Sequence, residues 1–473
     1  MSDCGGGTQI AARLERLPFS AFHRRLLLMG GLGYAFDAMD SAVIAFVLPV
    51  VMAQWSLTSV DAGVLASATF IGYFFGALIA GTGGDLFGRR VVMMSALAIY
   101  STASFASAFV SSATPFFWLR VVAGVGIGAE AVIVAPFLAE FVAKQYRGRF
   151  VGAVAGFFSF GFLGAAVLGY LLVPMAAWGW RVAIVITALP ILLLLWWRRA
   201  LPESPRWLES RSRRVEADAI LTRIEQEIVR DRGQPLPQPD AAAAVVTVDG
   251  GGSVLDNVGA LFSRPMARTT AMTWMLWFSI TFSYYAFFTW IPTLLVQSGM
   301  TITKSFAYSI AIYAAQIPGY FSAAYMNDLV GRRATITSYL VLGGVAAAAL
   351  AVAQTNLQIV IAGVCLSFFM NGTYAGVYAY TAEVFPTRIR TTGTGVASAI
   401  GRLGAIGAPV LVGAIFPELG FFGVFGTTTV IMIVGALAVV VLGVQTQDRS
   451  LESIASEGVK GHAAIVSSLT TTQ

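Results

Sequence analysis

The stretch Gly84-Asp85-Leu86-Phe87-Gly88-Arg89-Arg90 decides the fold, because a second copy, Asn327-Asp328-Leu329-Val330-Gly331-Arg332-Arg333, lies 243 residues further along the chain. Each copy stands between two long apolar runs. Three further pairs share the same separation: Glu140 and Glu383, Arg147 and Arg390, Gly152 and Gly395. Repeats at one fixed spacing in an apolar chain predict two homologous membrane-embedded halves, which is the build of secondary transporters with parallel repeats.

The composition excludes an ordinary soluble domain. The chain is 57% hydrophobic and only 11% charged, whereas soluble proteins carry about 25% charged residues. Twelve apolar runs each approach the roughly 20 residues that a helix needs to cross a bilayer. The predicted spans are residues 26–52, 61–83, 91–111, 116–139, 151–173, 181–197, 269–296, 305–326, 334–353, 358–381, 393–415 and 421–443.

The predicted fold class is therefore an all-α membrane protein with twelve transmembrane helices in two six-helix bundles. The charged part of the linker, residues 203–232, indicates short helices in contact with solvent. The predicted segments are an N-terminal segment 1–25, a first bundle 26–198, a linker 199–266, a second bundle 267–444 and a tail 445–473.

The placement of the positive charges predicts the topology. The net charge is +6, and all but four of the 30 Lys and Arg residues fall on one side of the predicted spans. The exceptions are Arg120 and Arg402 within spans, and Arg181 and Lys304 in opposite loops. Positive loops stay in the cytoplasm, so both termini are predicted to be cytoplasmic, and the basic charge does not indicate a nucleic-acid partner.

The paired loops resemble the signature of the major facilitator superfamily. Arg120-x-x-x-Gly124-x-Gly126-x-Gly128 and the motif 202–206 (Pro-Glu-Ser-Pro-Arg) resemble its sugar-porter and organic-ion branches. Asp37-Ala38-Met39-Asp40 resembles the Asp-Gly-x-Asp of aromatic-acid/proton symporters, with Ala in place of Gly. Residues 13–40 and 401–404 look most like bacterial niacin-type transporters. This resemblance implies alternating access of two bundles about a central site.

Ionisable residues within the spans are the candidates for chemistry, because each costs on the order of 2.5–3.5 kcal/mol to insert. Asp37 and Asp40 lie three residues apart on one helical face, and two carboxylates in a low-dielectric site cannot both ionise cheaply. This pair suits a proton carrier, although the acids could instead line a wet cavity or cap helices. The resemblance implies that Asp40 pairs with Arg120 and releases it on protonation.

Two of these residues leave alternatives open. Glu130 lies ten residues beyond Arg120 and is either a second proton site or a brace for a neighbouring helix. Arg120 itself could extend toward the outer membrane surface as a snorkelling side chain.

Arg402 is the predicted anchor for an anionic substrate. Its guanidinium matches a carboxylate with two parallel hydrogen bonds and stays charged at physiological pH. The alternative is a structural ion pair with Asp37 or Glu130. The other predicted substrate-binding residues are Asp37, the aromatic residues Trp277, Tyr284, Tyr285 and Tyr378, and the amides Gln316 and Asn371.

A set of charged residues at the repeated loops is predicted to form two salt-bridge networks that act as a cytoplasmic gate. By resemblance, these networks hold the outward-open state and break when the inner gate opens. They comprise Asp85, Arg89, Arg90, Glu140 and Arg147 and their copies Asp328, Arg332, Arg333, Glu383 and Arg390.

These features together predict a secondary active transporter of the inner membrane that takes up a small aromatic monocarboxylate such as nicotinate with protons. The alternatives are an organic-cation carrier with Asp37 or Asp40 as counter-ion, a sugar transporter, and a membrane nutrient sensor. No nucleophile–His constellation, metal cluster or phosphate-binding loop is recognisable, so an enzyme, a cofactor and ATP-driven transport are not expected. The expected partners are a small organic anion, protons and the lipid bilayer, and the expected state is a monomer.

Overall fold

The computed structural model describes residues 5–239, 254–386 and 389–446, and within these ranges every regular element is helical. The elements are α1 (Gly5–Glu15), α2 (Ala21–Trp55), α3 (Ser59–Phe87), α4 (Arg89–Ser107), α5 (Ala113–Ala139), α6 (Lys144–Leu172), α7 (Gly179–Thr187), α8 (Leu193–Ala200), α9 (Pro205–Ser210), α10 (Arg214–Arg232), α11 (Val254–Leu261), α12 (Arg264–Gln297), α13 (Ile302–Ala314), α14 (Gln316–Leu329), α15 (Arg332–Ala351), α16 (Asn356–Val384) and α17 (Arg390–Leu442). Eight helices in this part of the chain are long and apolar enough to cross a membrane.

Three features of the structure differ from a simple series of single-helix spans. The predicted span 181–197 is divided between α7 and α8 by a 3₁₀ turn that contains Pro190. The predicted span 305–326 is divided between α13 and α14, where Pro318 lacks the N–H that would bond to the carbonyl of Ala314. Helix α17 covers the last two predicted spans, and its only break is at Gly420, whose φ is 55° and ψ −148°.

The described chain divides into two compact units. The first contains the described residues up to 47 and 68–239, and the second contains residues 48–67 and the described residues from 254 onward. Residues 48–67 group with the second unit because the start of α3 packs closely on α17. A Cβ on Gly63 would lie 2.4 Å from the carbonyl oxygen of Pro409, and Ser67 donates a hydrogen bond to the Ile406 carbonyl at 2.7 Å.

Glycines of the sequence motif on α5 set the packing of the first unit. A Cβ on Gly124 or Gly128 would lie 2.1 Å from backbone oxygens of α3, and one on Gly126 would lie 2.5 Å from the Ala96 carbonyl of α4. The missing side chains therefore allow α5 to approach both neighbours at backbone distance, as small residues do between membrane helices. This close packing carries Arg120, one turn before Gly124, into the interior of the unit.

The two repeated loops form the same local structure. Gly88 and Gly331 both have positive φ values, 103° and 88°, a conformation that residues with a Cβ rarely adopt. In each unit the first arginine after this glycine donates to a backbone carbonyl five residues earlier, Arg89 to Gly84 at 2.7 Å and Arg332 to Asn327 at 3.0 Å. The sequence repeat at 243 residues is thus also a structural repeat.

The N-terminal helix α1 docks on the linker helices of the first unit. Arg13 and Arg16 both bind Glu225 of α10, with N–O distances of 2.7 and 2.6 Å. Glu15 accepts from the Lys144 amide at 2.6 Å and from Arg147 and Arg206 at 2.9 and 3.0 Å. Partial burial opposes ionisation of Glu15, but these donors together lower its pKa. Helix α1 is therefore held against the rest of the unit.

The packing of α3 on α5 predicts a stability difference between two glycines. A Cβ on Gly76 would lie 2.0 Å from the Val125 carbonyl oxygen, whereas one on Gly152 in α6 meets nothing within 4 Å. We expect Gly76→Ala to lower the free energy of unfolding by about 1–3 kcal/mol because the helices must separate. Thermal unfolding of the purified protein in detergent measures this. Gly152→Ala is the control, and equal melting temperatures for the two variants would contradict the packing described.

Candidate functional site

In the first unit, a buried ion pair joins α2 and α5. Arg120 Nη2 lies 3.2 Å from Asp40 Oδ2, and both side chains are fully buried. Thr187 donates to the other oxygen of Asp40 at 2.7 Å, and Ser104 accepts a hydrogen bond from Arg120. The structure therefore brings together the two residues that the resemblance pairs, and the Arg120 side chain lies inside the unit. Four helices, α2, α4, α5 and α7, meet at this point.

Two further acids lie close to the pair. Asp37, one helical turn before Asp40, is fully buried and interacts electrostatically with both Asp40 and Glu130. Among the described residues, none donates a hydrogen bond to the carboxylate oxygens of Asp37 or Glu130. Gly33 makes room for Glu130, because a Cβ there would lie 2.4 Å from Glu130 Oε1. The three acids form one cluster, here called the carboxylate cluster (Asp37, Asp40, Glu130).

In the second unit, Arg402 lies among tyrosines. Its guanidinium hydrogen-bonds the Tyr285 hydroxyl and interacts electrostatically with Tyr374. Tyr374 stacks on Tyr378 with ring centroids 6.2 Å apart and an angle of 29° between the rings. Arg402, Tyr285 and Tyr374 are half-buried and Tyr378 is 50% exposed, so this group is accessible. We call these four residues the arginine–tyrosine cluster.

The cluster is held by residues behind it. Gly401 on α17 packs on α12, where a Cβ would lie 3.0 Å from Thr281 Oγ1. Tyr374 donates to the same Thr281 oxygen at 3.1 Å. Trp277 is buried, packs edge-on against Tyr378 at 5.1 Å and donates to Thr381 at 2.9 Å. Trp277, predicted as a substrate contact, is thus placed as a support of the tyrosines.

The predicted amides and Tyr284 form a second layer. Tyr284 donates to Gln316 Oε1 at 2.8 Å, and Asn371 donates to the Gln316 backbone carbonyl at 2.7 Å. All three residues are buried. Tyr284 also packs edge-on against Tyr374, with ring centroids 5.2 Å apart. Among the described residues, nothing accepts from Gln316 Nε2, which leaves one buried donor in this layer.

The predicted gate residues meet within each unit. Arg89 lies 3.6 Å from Glu140 and Arg332 lies 3.0 Å from Glu383. Arg147 and Arg390 both donate to a backbone carbonyl five residues earlier, each at 3.3 Å.

The remaining gate residues differ in their surroundings. Asp328 is 83% exposed and 3.8 Å from Arg332, and Arg333 donates to the Val439 and Val440 carbonyls. The Arg90 amide binds Glu203 at 3.2 Å. The side chain of Asp85 lies outside the described part of the chain.

Sequence reasoning missed the neutral partners of both clusters. Ser104, Thr187 and Thr381 each hydrogen-bond a predicted site residue, Thr281 accepts from Tyr374, and no motif marks these four residues. Tyr374 could have been identified as a site residue, because it precedes Tyr378 by four residues and therefore lies on the same face of α16.

Comparison with known proteins agrees with this architecture. The profile of the family "Sugar (and other) transporter" matches residues 28–457. The niacin transporter NiaP of Acinetobacter baylyi is 36% identical over 94% of this chain and 99% of its own. The 4-hydroxybenzoate transporter PcaK of Pseudomonas putida is 29% identical over 85% and 88%. The xylose transporter XylE of Escherichia coli has a similar structure, with a TM-score of 0.73 at 18% identity over 91% of this chain and all of that one.

The chain therefore belongs to the sugar (and other) transporter family of the major facilitator superfamily. It is a multi-pass protein of the inner membrane and a secondary transporter rather than an enzyme. The XylE comparison, at low identity, establishes the fold alone.

The buried pair predicts an asymmetric response to mutation. We expect Arg120→Gln to lower the free energy of unfolding by about 3–5 kcal/mol, because it leaves a buried carboxylate without its cation. The double variant Asp40→Asn/Arg120→Gln removes both charges and should recover part of this loss. Thermal unfolding in detergent of the single and double variants measures the coupling. If the double variant is no more stable than Arg120→Gln, the two charges do not stabilise each other.

Proposed function

We propose that the protein takes up a small aromatic monocarboxylate, such as nicotinate, together with protons. The observation that carries this proposal is Arg402 beside Tyr285, Tyr374 and Tyr378. A fixed guanidinium binds a carboxylate, and tyrosine rings pack on a planar aromatic ring. The named substrates of the relatives, niacin and 4-hydroxybenzoate, are both of this type.

In this proposal Arg402 is the anchor and the tyrosines form the walls. The hydrogen bond from Arg402 to Tyr285 orients the guanidinium without neutralising its charge. In the proposed site this guanidinium binds the substrate carboxylate. Gln316 Nε2 is a second hydrogen-bond donor, in the layer behind the arginine–tyrosine cluster. Tyr284 and Asn371 hold Gln316 in this layer. A site with one cation and several rings favours a ring-bearing anion over a sugar, whose hydroxyls need many amide partners.

The carboxylate cluster is the proposed proton site. Asp37 and Glu130 are buried without hydrogen-bond donors among the described residues, and an ionised carboxylate in such a place is costly. Asp40 differs because Arg120 and Thr187 stabilise its charge. Protonation of Asp40 would release Arg120, so this pair links proton uptake to a change in the contacts between α2 and α5.

We also propose the finer topology: twelve spans, two six-helix bundles (residues 26–198 and 267–444) and cytoplasmic termini. Twelve spans follow if α7 with α8, and α13 with α14, each count as one interrupted span and α17 counts as two, divided at Gly420. The concentration of Lys and Arg on one side supports the orientation. The helix-end networks around Glu140 and Glu383 would then form the cytoplasmic gate.

An organic-cation carrier is the second candidate, because Asp37 has a buried carboxylate without a donor among the described residues. In that case the substrate would be the missing cation. Substitution separates the two candidates, since a cation site depends on Asp37 and an anion site depends on Arg402. A sensor without transport is the third, and accumulation of substrate in a purified system would exclude it.

The first functional prediction concerns binding. We expect Arg402→Gln to weaken nicotinate binding by about 30-fold or more, because the substrate carboxylate loses its charged partner. Isothermal titration calorimetry on the purified protein measures this. Arg264→Gln is the matched control, since Arg264 is exposed at the start of α12. Wild-type affinity in Arg402→Gln, combined with lost binding in Asp37→Asn, would replace the anion proposal by the cation proposal.

The second functional prediction concerns coupling. In proteoliposomes with an alkaline interior, the wild type should accumulate labelled nicotinate above its level without a gradient. Asp40→Asn cannot exchange a proton at this position, so we expect it to lose the gradient-driven accumulation but to keep exchange of nicotinate at equal pH. Asp218→Asn, which changes an exposed carboxylate of α10 outside the gate, is the control. Undiminished accumulation by Asp40→Asn would place proton coupling elsewhere.

A further inference from the structure

A cavity of about 640 Å³ lies at the start of α15, on the side of the second unit that carries the repeated loop. Its polar wall contains Arg332, Arg333, Thr337, Ser338, Gln445 and Thr446, and its apolar wall contains Val341, Leu342 and Val440. The cavity is remote in sequence from the arginine–tyrosine cluster and shares no residue with it. Arg332 and Arg333 also belong to the predicted cytoplasmic gate, but the proposed substrate and proton sites do not use this cavity.

The equivalent position in the first unit, the start of α4, binds a carboxylate. There, Glu203 places its carboxylate at the start of α4, where Oε1 accepts from the Arg90 amide at 3.2 Å. A Cβ on Gly88 would lie 2.5 Å from Glu203 Oε2, so the carboxylate rests directly on the glycine. An anion from the chain itself therefore occupies the start of this helix, where the amides and the helix dipole are positive.

The second unit keeps the loop but lacks the carboxylate. At the 243-residue separation, Arg90 corresponds to Arg333 and Glu203 corresponds to Thr446. Thr446 is only 8% exposed, and its hydroxyl and that of Thr337 have no partner among the described residues. Both hydroxyls line the cavity. The start of α15 thus presents Arg333 and two buried hydroxyl donors where its counterpart holds an anion, while Arg332 pairs with Glu383.

We propose that this cavity binds the phosphate of an anionic phospholipid headgroup from the adjacent leaflet. The shared chemistry is a phosphate anion, and the apolar wall favours the lipid over free phosphate. Val341, Leu342 and Val440 are 38%, 44% and 47% exposed beside the arginines, so an acyl chain would lie along them while the phosphate contacts Arg333, Thr337 and Thr446. Basic cavities at a membrane surface bind anionic headgroups in this manner.

The test counts bound lipids. The full-length protein is delipidated in detergent, titrated with dioleoylphosphatidylglycerol, and analysed by native mass spectrometry. Thr446→Glu supplies the carboxylate that Glu203 supplies in the first unit, and we expect about tenfold weaker binding of one phosphatidylglycerol molecule. Thr446→Gln, with the same size and no charge, should lose less than about threefold. Arg333→Gln should also weaken the binding of that phosphatidylglycerol molecule, so the test remains decisive if Thr446→Glu is unstable.

Two comparison ligands identify the source of the phosphate. Dioleoylphosphatidylcholine should bind more weakly than phosphatidylglycerol, and millimolar inorganic phosphate should not displace the lipid. Equal binding of the two lipids, or wild-type binding in both Thr446→Glu and Arg333→Gln, would overturn the proposal. Displacement by inorganic phosphate would overturn the lipid assignment and identify a soluble phosphate ligand. The readout does not involve transport, so it is independent of the proposed substrate.

Discussion

The free-energy cost of burying charged side chains among apolar helices is the main constraint on how the helices of this protein pack. Asp40 and Arg120 are both fully buried and form an ion pair at 3.2 Å, and four helices must meet for their hydroxyl partners to reach them. The α5 glycines permit this geometry, because a Cβ on Gly124, Gly126 or Gly128 would hold the helices apart. Asp37 and Glu130 carry the same cost without such partners among the described residues. Because protonation removes the buried charge, these two residues belong to the proposed proton site.

The repeat and the apolar runs were enough to predict the fold class. Gly88, Gly331 and the arginines after them formed the same loop in both units, as their spacing predicted. The breaks in α7–α8 and α13–α14 were missed, although Pro190 and Pro318 were visible. Hydropathy averages over about 20 residues, so it detects a span but not an interruption within it.

The candidate sites were predicted less completely, for a physical reason. Charged residues within apolar runs are conspicuous, so Asp40, Arg120 and Arg402 were identified from the sequence alone. Their neutral partners Thr187 and Thr281 are ordinary residues in a membrane helix, and only the packing of helices distant in sequence makes them partners. The position of Trp277 behind the tyrosines is fixed by its hydrogen bond to Thr381, a contact that residue spacing does not predict.

The two halves differ at the charged residues of the two clusters and share the Arg–Glu contacts at their helix ends. At the 243-residue separation, Arg120 corresponds to Gly363, Asp40 to Ser283 and Arg402 to Ser159, so each of these charges occurs in one half only. The Arg–Glu contacts at the helix ends occur in both. A duplicated scaffold that retains its helix-end networks can thus assign proton chemistry to one half and substrate recognition to the other. In the proposed mechanism, coupling between the two functions requires that both halves change conformation together, and the Arg–Glu contact at the equivalent helix end of each half is a contact that both can break.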